Sequence, residues 1–363
     1  MAENLKKVVV VGGGIAGSQV AKGLEDHADV TLIDPKNFFD ITYARMRAIV
    51  DPAIAERSLV LHSDYLKKAK VVESSVESAA ATEVVTTSGE HIPYDYLVIC
   101  TGTLFQSPPE RTTKLERIEE IKGQNRTLME AESVLIIGGG PVGVELAGEI
   151  VTDFPDKKVT IISGGDRLIE FLGPKASRKC EKWLHKKGVT VILKDKIDVN
   201  DNLAPPNFET QKHVELKADA HFLATGKKLP TKWLEASEIL KEHVAVNGRL
   251  KMEASGTCQV EGLQNVFAAG DITDFKEIKQ GYLAGKHAAV VVENIKKLIA
   301  SPDNVKLSTY KPLNTPLGIV SLGRVLAVSQ MPFGTILGRL AGLLKSKDLF
   351  VGKTREALGL KAK

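Results

Sequence analysis

The sequence predicts an α/β protein, doubly wound twice over, with a small α+β unit at its C-terminal end. Three observations predict this. Gly12-Gly13-Gly14-Ile15-Ala16-Gly17 follows the apolar run Val8-Val9-Val10-Val11. A second motif, Gly138-Gly139-Gly140-Pro141-Val142-Gly143, follows Val134-Leu135-Ile136-Ile137. After each, a helical stretch (18–24 and 144–151) leads to a second strand, Val30-Thr31-Leu32-Ile33-Asp34 or Val159-Thr160-Ile161-Ile162-Ser163. Each half therefore reads as a βαβ unit, and together they imply two Rossmann-like dinucleotide-binding domains.

The glycines have separate tasks. Gly12 and Gly138 permit the tight turn, Gly14 and Gly140 let a pyrophosphate approach the backbone, and Gly17 and Gly143 let helix pack on strand. The phosphates then face unpaired amides at a helix N-terminus. Asp34 lies 20 positions after Gly14, where a carboxylate accepts hydrogen bonds from a ribose. Ser163 holds the matching place in the second unit and carries no charge to repel a 2′-phosphate. With Arg167 four residues further on, the second nucleotide is expected to be NADH or NADPH.

Composition sets limits on the rest. The 363 residues suffice for two or three domains with cores of their own. No stretch reaches the roughly 18 apolar residues of a membrane span. The polar residues 1–7 run directly into the first strand, so neither a signal peptide nor an organellar presequence is expected. Cys100, Cys180 and Cys258 form no CxxC or CxxxxC pair, which excludes a sequence-local redox disulfide and fits a cytoplasmic protein. No zinc-ligand spacing occurs, the histidines are scattered, and no metal is expected.

The net charge of +4 is concentrated in the tail. Residues 334–363 hold seven cations (Arg339, Lys345, Lys347, Lys353, Arg355, Lys361, Lys363) against Asp348 and Glu356, a balance of +5. Ile336, Leu337, Leu340, Leu343 and Leu344 recur there at helical spacing, and Gly334, Gly338 and Gly342 at every fourth residue. Such a basic amphipathic helix either packs on the body or lies on an anionic membrane surface, so peripheral membrane contact is one expectation. Without aromatic–basic interleaving, nucleic acid is not an expected partner.

Three strand ends divide the chain: Ile99-Cys100-Thr101-Gly102, Leu223-Ala224-Thr225-Gly226 and Ala268-Ala269-Gly270-Asp271. Their order, between and after two dinucleotide motifs, resembles the pyridine nucleotide-disulfide oxidoreductase superfamily, whose fold is that of glutathione reductase. Three further segments narrow the resemblance. They are Asp34-Pro35-Lys36-Asn37-Phe38-Phe39 with Arg45-Met46-Arg47-Ala48, then Gly143-Val144-Glu145-Leu146-Ala147, then Lys345-Ser346-Lys347-Asp348-Leu349-Phe350-Val351. These look like the ferroptosis-suppressor and apoptosis-inducing-factor-like flavoproteins, relatives of type II NADH dehydrogenases. The match runs to about Gly359.

The resemblance implies FAD on the first motif and NAD(P)H on the second. It implies cofactor contacts from Gly12, Gly13, Gly14, Ile15, Ala16, Gly17, Asp34, Lys36, Arg47, Val76, Thr101, Gly102, Gly270, Asp271 and Gln280. In the second unit it implies Gly138, Gly140, Gly143, Ser163 and Gly226. Glu145 is implied near the nicotinamide and flavin, and Lys345 near the isoalloxazine. Two departures stand out. Residue 2 is Ala, so the Met-Gly start of myristoylated relatives is missing. The quinone motif of type II NADH dehydrogenases survives only as Gln280 and Ala284 in Lys279-Gln280-Gly281-Tyr282-Leu283-Ala284-Gly285-Lys286.

The expected organisation is a split FAD domain over residues 1–113 and 256–300. An NAD(P)H domain spans 114–255, with a polar loop at 201–213. A C-terminal domain over 301–363 carries strands at 317–322 and 325–330 and the amphipathic helix. The expected activity is hydride transfer from NAD(P)H to FAD, then electron transfer to a quinone or other small acceptor. An electron-transfer reductase of the ferredoxin or monodehydroascorbate type, and a non-catalytic redox-sensing or death-signalling flavoprotein, are the alternatives. A homodimer stays open.

Overall fold

The computed structural model describes residues 5–105, 112–199, 203–225, 227–301 and 305–362. Gly226 and Ala2 lie outside them. Strand β1 (Lys7–Val11) is apolar along its length because it lies inside a parallel sheet covered on both faces, and Val8 to Val11 are all buried. Helix α1 (Ile15–Leu24) turns Val20, Ala21 and Leu24 into the same core. Next come β2 (Asp29–Ile33), α2 (Arg45–Val50), β3 (Lys70–Val72) and an antiparallel meander of β4 (Val76–Ala79), β5 (Glu83–Thr86) and β6 (His91–Pro93). Strand β7 (Tyr96–Ile99) flanks β1 on its other side, and β8 (Leu104–Phe105) leaves the unit.

The second unit opens with α3 (Lys114–Glu130), which starts on a reciprocal capping box. Thr113 Oγ1 accepts the Glu116 amide at 3.2 Å, and Glu116 Oε2 accepts the Thr113 amide at 2.7 Å. It continues through β9 (Ser133–Ile137), α4 (Pro141–Asp153), β10 (Lys158–Ser163), α5 (Pro174–Lys186), β11 (Thr190–Leu193) and β12 (Ala220–Leu223). Its sheet is parallel, in the order β11-β10-β9-β12. Strand β13 (Lys227–Lys228) returns antiparallel to β8, and β14 (Val266–Ala268) rejoins the first sheet, whose order is β14-β7-β1-β2-β3. The first sheet is thus assembled from two stretches of chain with the second unit inserted between them. Helix α6 (Gly281–Ala300) packs on α1, where a Cβ on Gly23 would lie 2.9 Å from Val292.

The third unit is an antiparallel sheet of β15 (Gly318–Leu322), β16 (Leu326–Met331) and β17 (Gly334–Gly338). Val320, Leu322, Val328 and Leu337 pack into the core of the second unit. Helix α7 (Arg339–Lys345) packs on β15 and β16, where a Cβ on Gly342 would lie 2.0 Å from the Val325 carbonyl oxygen. Helix α8 (Val351–Ala357) sends Val351 into the first core.

Two expectations are corrected here. The helical stripe over 334–344 divides: residues 334–338 pair with β16 as a strand, and the helix begins at Arg339. Strand alternation sends Leu337 to the core, while Ile336, Leu340, Leu343 and Leu344 stay exposed. Gly334 and Gly338 form no close-packed face, since a Cβ on either would meet nothing within 4 Å. Within the expected loop at 201–213, Asn207–Glu209 is a strand paired with Glu215–Lys217, anchored by buried Phe208.

One ion-pair network crosses all three units. Arg47 of α2 donates Nε and Nη2 to the Glu149 carboxylate of α4 at 3.0 and 2.8 Å, with both side chains at most 3 % exposed. Its Nη2 also reaches the Gly323 carbonyl at 3.4 Å, in the β15–β16 turn. Arg324, next in that turn, pairs with Asp153 and, at 3.2 Å, with Asp51. Burial pushes the Glu149 carboxyl up from its ordinary range, against the pull of Arg47 and Arg324. Removing one partner of such a pair strands a buried charge. Glu149→Gln should therefore lower the unfolding free energy by about 3–5 kcal/mol. The double change Arg47→Met, Glu149→Leu should recover most of it. Urea unfolding of the three proteins measures both, and a loss under about 1 kcal/mol would show that the network does not hold the units together.

Candidate functional site

Both glycine turns adopt the geometry their spacing predicts. Gly12 and Gly138 have φ of +97° and +127°, a region open to glycine but strained for other residues. A Cβ on Gly17 would lie 1.7 Å from the Gly12 carbonyl oxygen, and one on Gly143 would lie 2.0 Å from that of Gly138. Only hydrogen fits at these crossings of helix and turn. Gly14 and Gly140 are the N-caps of α1 and α4, neither helix start carries a side-chain cap, and a Cβ on either glycine would meet nothing within 4 Å. Free amides with a clear approach fit the pyrophosphate of a dinucleotide.

In the first unit Asp34 is buried at the end of β2. Its Oδ2 accepts the Gly13 amide, and its Oδ1 accepts both the Lys36 amide and Lys36 Nζ, each at 2.7 Å. Ile15 and Ala16 form the first turn of α1. Gly102 has φ +57°, and the Thr101 hydroxyl beside it is buried without a hydrogen-bond partner. Gly270 has φ +85° and donates its amide to His287 Nδ1 at 3.1 Å. Asp271 Oδ2 accepts from Thr103 Oγ1 at 3.0 Å. Gln280 is the N-cap residue of α6 and donates Nε2 to the Leu317 carbonyl at 2.7 Å. Helix α6 also starts without a side-chain cap, beside Tyr43, whose hydroxyl would lie 2.2 Å from a Cβ on Gly281. Burial and the Asp271 carboxylate hold the Tyr43 hydroxyl up at about 12.

Two residues named from the sequence lie elsewhere than in these turns. Val76 is a buried strand residue opposite Thr86, within the apolar cluster of Val9, Val84 and Ile99. Arg47 directs Nε and Nη2 to Glu149. Conversely, motif reading missed His62. This buried imidazole lies against Gly13 and Asp34; its Nδ1 meets Tyr65 Oη at 2.7 Å and its Nε2 has no partner. No short motif marks it, because only folding brings the His62–Tyr65 segment beneath the first glycine turn.

In the second unit Ser163 ends β10, and its Oγ would lie 2.7 Å from a Cβ on Gly139. Arg167 is occupied: its Nη1 and Nη2 donate to the Leu172 and Glu170 carbonyls at 3.0 and 2.9 Å. Glu145, on the first turns of α4, accepts at Oε1 from Lys345 Nζ of α7 and from the Ser321 amide at 3.0 Å. Lys345 Nζ donates also to the Ile319 carbonyl at 3.1 Å. Both side chains are buried. The third unit therefore delivers a lysine to the start of the second dinucleotide helix. Cys100, Cys180 and Cys258 are all free and buried, and burial pushes their thiols up, to about 12 for Cys180 and Cys258.

Two parallel sheets, each with a bare-amide glycine turn, and a third sheet docked on the second define a flavoprotein reductase with two dinucleotide sites. The chain belongs to the pyridine nucleotide-disulphide oxidoreductase family, which matches it over residues 6–290. It is an FAD-dependent NAD(P)H oxidoreductase. It is 32 % identical to apoptosis-inducing factor homolog B of Dictyostelium discoideum over 381 residues, covering 97 % of each chain. It is 30 % identical to ferroptosis suppressor protein 1 of Homo sapiens over 360 residues, covering 95 % of this chain and 93 % of that one. Its fold resembles sulfide:quinone oxidoreductase of Aquifex aeolicus (TM-score 0.77, 20 % identity, 97 % and 92 % covered). It also resembles NDH2 of Plasmodium falciparum, solved with NADH (TM-score 0.76, 14 % identity, 98 % and 96 % covered).

Burial lowers the His62 pKa from 6.5 to about 4, with the Asp34 carboxylate pulling the other way. The ring is neutral at pH 7, whereas the unfolded chain binds the proton at an ordinary pKa. Its contribution is therefore complete above about pH 6.5 and is lost as the pH falls toward 4, a change of about 3 kcal/mol. Urea midpoints measured from pH 7 to pH 4.5 should fall more steeply for the wild type than for His62→Gln. Parallel profiles would show that His62 does not titrate this way.

Proposed function

We propose that the protein is an NAD(P)H:quinone oxidoreductase, converting NAD(P)H, a proton and a quinone to NAD(P)⁺ and a quinol. FAD is assigned to the first unit (residues 1–113 and 256–300), the nicotinamide dinucleotide to the second (114–255) and the acceptor to the face closed by the third (301–363). When bound, FAD supplies hydride acceptance and electron delivery. Asp34 and His62 would hold the adenosine end, Gly12 to Gly17 the pyrophosphate, and Asp271 with Thr101 the polyol chain. Tyr43 and the bare start of α6 would face the ring system.

The observation that carries this reading is the Lys345–Glu145 pair, which seats α7 of the third unit on the N-terminal turns of α4. A lysine held there by a carboxylate and the Ile319 carbonyl would offer its remaining N–H, in fixed position, to an acceptor oxygen on which negative charge develops. The buried thiols support no dithiol route, which leaves a diffusing molecule or a protein as the acceptor. Two relatives bear names tied to cell death, apoptosis in one and ferroptosis in the other, and one solved neighbour is named for quinone chemistry.

The outer side of the third unit favours an apolar acceptor drawn from lipid. Phe333, Leu340 and Leu343 are 98, 69 and 67 % exposed, and Ile336 and Leu344 accompany them. Arg339 and Lys347 lie in the same segment and are exposed. Lys179 of α5 reaches the Thr335 carbonyl at 3.5 Å, so that helix, with exposed Arg178, Lys182 and Lys186, borders the patch. Exposed apolar side chains with exposed cations in the same segment and on the neighbouring helix match an anionic bilayer surface. Among the described residues no helix is long and apolar enough to cross a membrane.

FAD-loaded protein should oxidise NADH with a short-chain ubiquinone analogue. Lys345→Met combined with Glu145→Gln should slow that turnover at least about tenfold, one 1.4 kcal/mol interaction, and leave single-turnover flavin reduction by NADH within about threefold. Turnover with no quinone tested would remove the quinone reading, and an unchanged rate in the double variant would remove Lys345 from it. Separately, binding to phosphatidylserine-containing vesicles should be lost in Phe333→Asp, Leu340→Asp and weaken with added salt. Equal binding by both proteins would mean that the apolar patch does not meet lipid.

A further inference from the structure

The two dinucleotide units share one geometry, so each serves as a reference for the other. Asp34 ends β2, with Oδ2 2.8 Å from where a Cβ on Gly13 would be. Ser163 ends β10, with Oγ 2.7 Å from where a Cβ on Gly139 would be. The serine hydroxyl therefore takes the place of the carboxylate. In the first unit Lys36, two residues past Asp34, pairs with it at 2.7 Å. The equivalent position in the second unit is Gly165, which has no side chain.

A cation arrives there by another route. Lys196 lies just past β11, the parallel neighbour of β10, in which Leu193 is paired with Ser163. Its stem crosses directly over Gly164: a Cβ on Gly164 would lie 2.1 Å from Lys196 Cε and 2.7 Å from Cγ. Its backbone is pinned at both ends, the amide donating to Asp195 Oδ1 at 2.8 Å and the carbonyl accepting from Gln211 at 2.7 Å.

The other charges on this rim are engaged. Arg167 is held by two carbonyls, and Lys194 pairs with Asp166 at 3.4 Å. Glu170 Oε1 accepts the Asp166 amide at 3.0 Å and would lie 2.5 Å from a Cβ on Gly165. Among the described residues of the rim, the Lys196 ammonium is exposed and has neither hydrogen bond nor ion pair.

We propose that Ser163 and Lys196 read the 2′ position of the adenosine ribose in the second unit, admitting a 2′-phosphate, while Glu170 opposes it and keeps the unphosphorylated nucleotide competitive. The proposal rests on the second unit being the nicotinamide-nucleotide site, and it moves phosphate recognition from Arg167 to a residue just past the neighbouring strand. The physical reason is availability: a phosphate needs a donor with free N–H groups, and a charge-assisted bond is stronger than a neutral one.

The test is calorimetric binding of 2′,5′-ADP and of ADP to the FAD-loaded protein, with steady-state kcat/KM for NADPH and NADH as a second readout. Lys196→Gln should weaken 2′,5′-ADP about tenfold and leave ADP within about twofold, in step with a fall in NADPH efficiency alone. Lys196→Arg should retain the wild-type ratio, and Glu170→Gln should strengthen 2′,5′-ADP about threefold. The Lys196 effect should shrink at high salt. Equal weakening of both ligands by Lys196→Gln, or no change in either, overturns the proposal and leaves the second unit's assignment standing. A wild-type protein that binds neither nucleotide overturns the proposal and the assignment together.

Discussion

Two carboxylates one turn apart on a single helix connect the three units. Glu145 and Glu149 lie on the same side of α4, both buried, and each is neutralised by a cation from outside its own unit. Glu149 takes Arg47 from the first unit, and Glu145 takes Lys345 from the third. A buried carboxylate left alone is costly, so both the arginine and the lysine must be in place where α4 is covered. The glycine at position 148, between them, permits the approach: a Cβ there would lie 3.0 Å from the Gly323 amide nitrogen. Charge pairing and backbone contact thus meet at one place, at the start of which the second dinucleotide would bind.

This arrangement gives the third unit a double character. Its inner face is continuous with the second unit's apolar core, through Val320, Leu322 and Val328. Its outer edge leaves Phe333, Leu340 and Leu343 uncovered. The inner face holds position, while the outer edge stays in solvent.

How much of this was legible in the sequence depended on the distance over which each feature is encoded. The glycine turns, the paired strands and Asp34 were legible because their requirements are local: a positive φ, a missing Cβ, a strand end. The strands of the third unit fell within about two residues of their expected bounds. The stripe at 336–344 misled because its hydrophobic spacing fits a helix, while the hairpin partner that makes residues 334–338 a strand lies elsewhere in the chain. Arg47 and Glu149 are 102 residues apart, and Glu145 and Lys345 are 200 apart. No window of sequence relates them. Arg167 looked available because its proximity to Ser163 is visible in the chain, whereas the carbonyls that occupy it appear only after folding. Lys196 and His62 were unnoticed for the converse reason.

Because α4 is clasped from both sides, the third unit is no lid. Swinging it aside would separate Lys345 from Glu145 and Gly323 from Gly148 together, exposing charge and core in one step. Opening that face therefore costs what partial unfolding costs, and the third unit stays with α4 for as long as the molecule is folded.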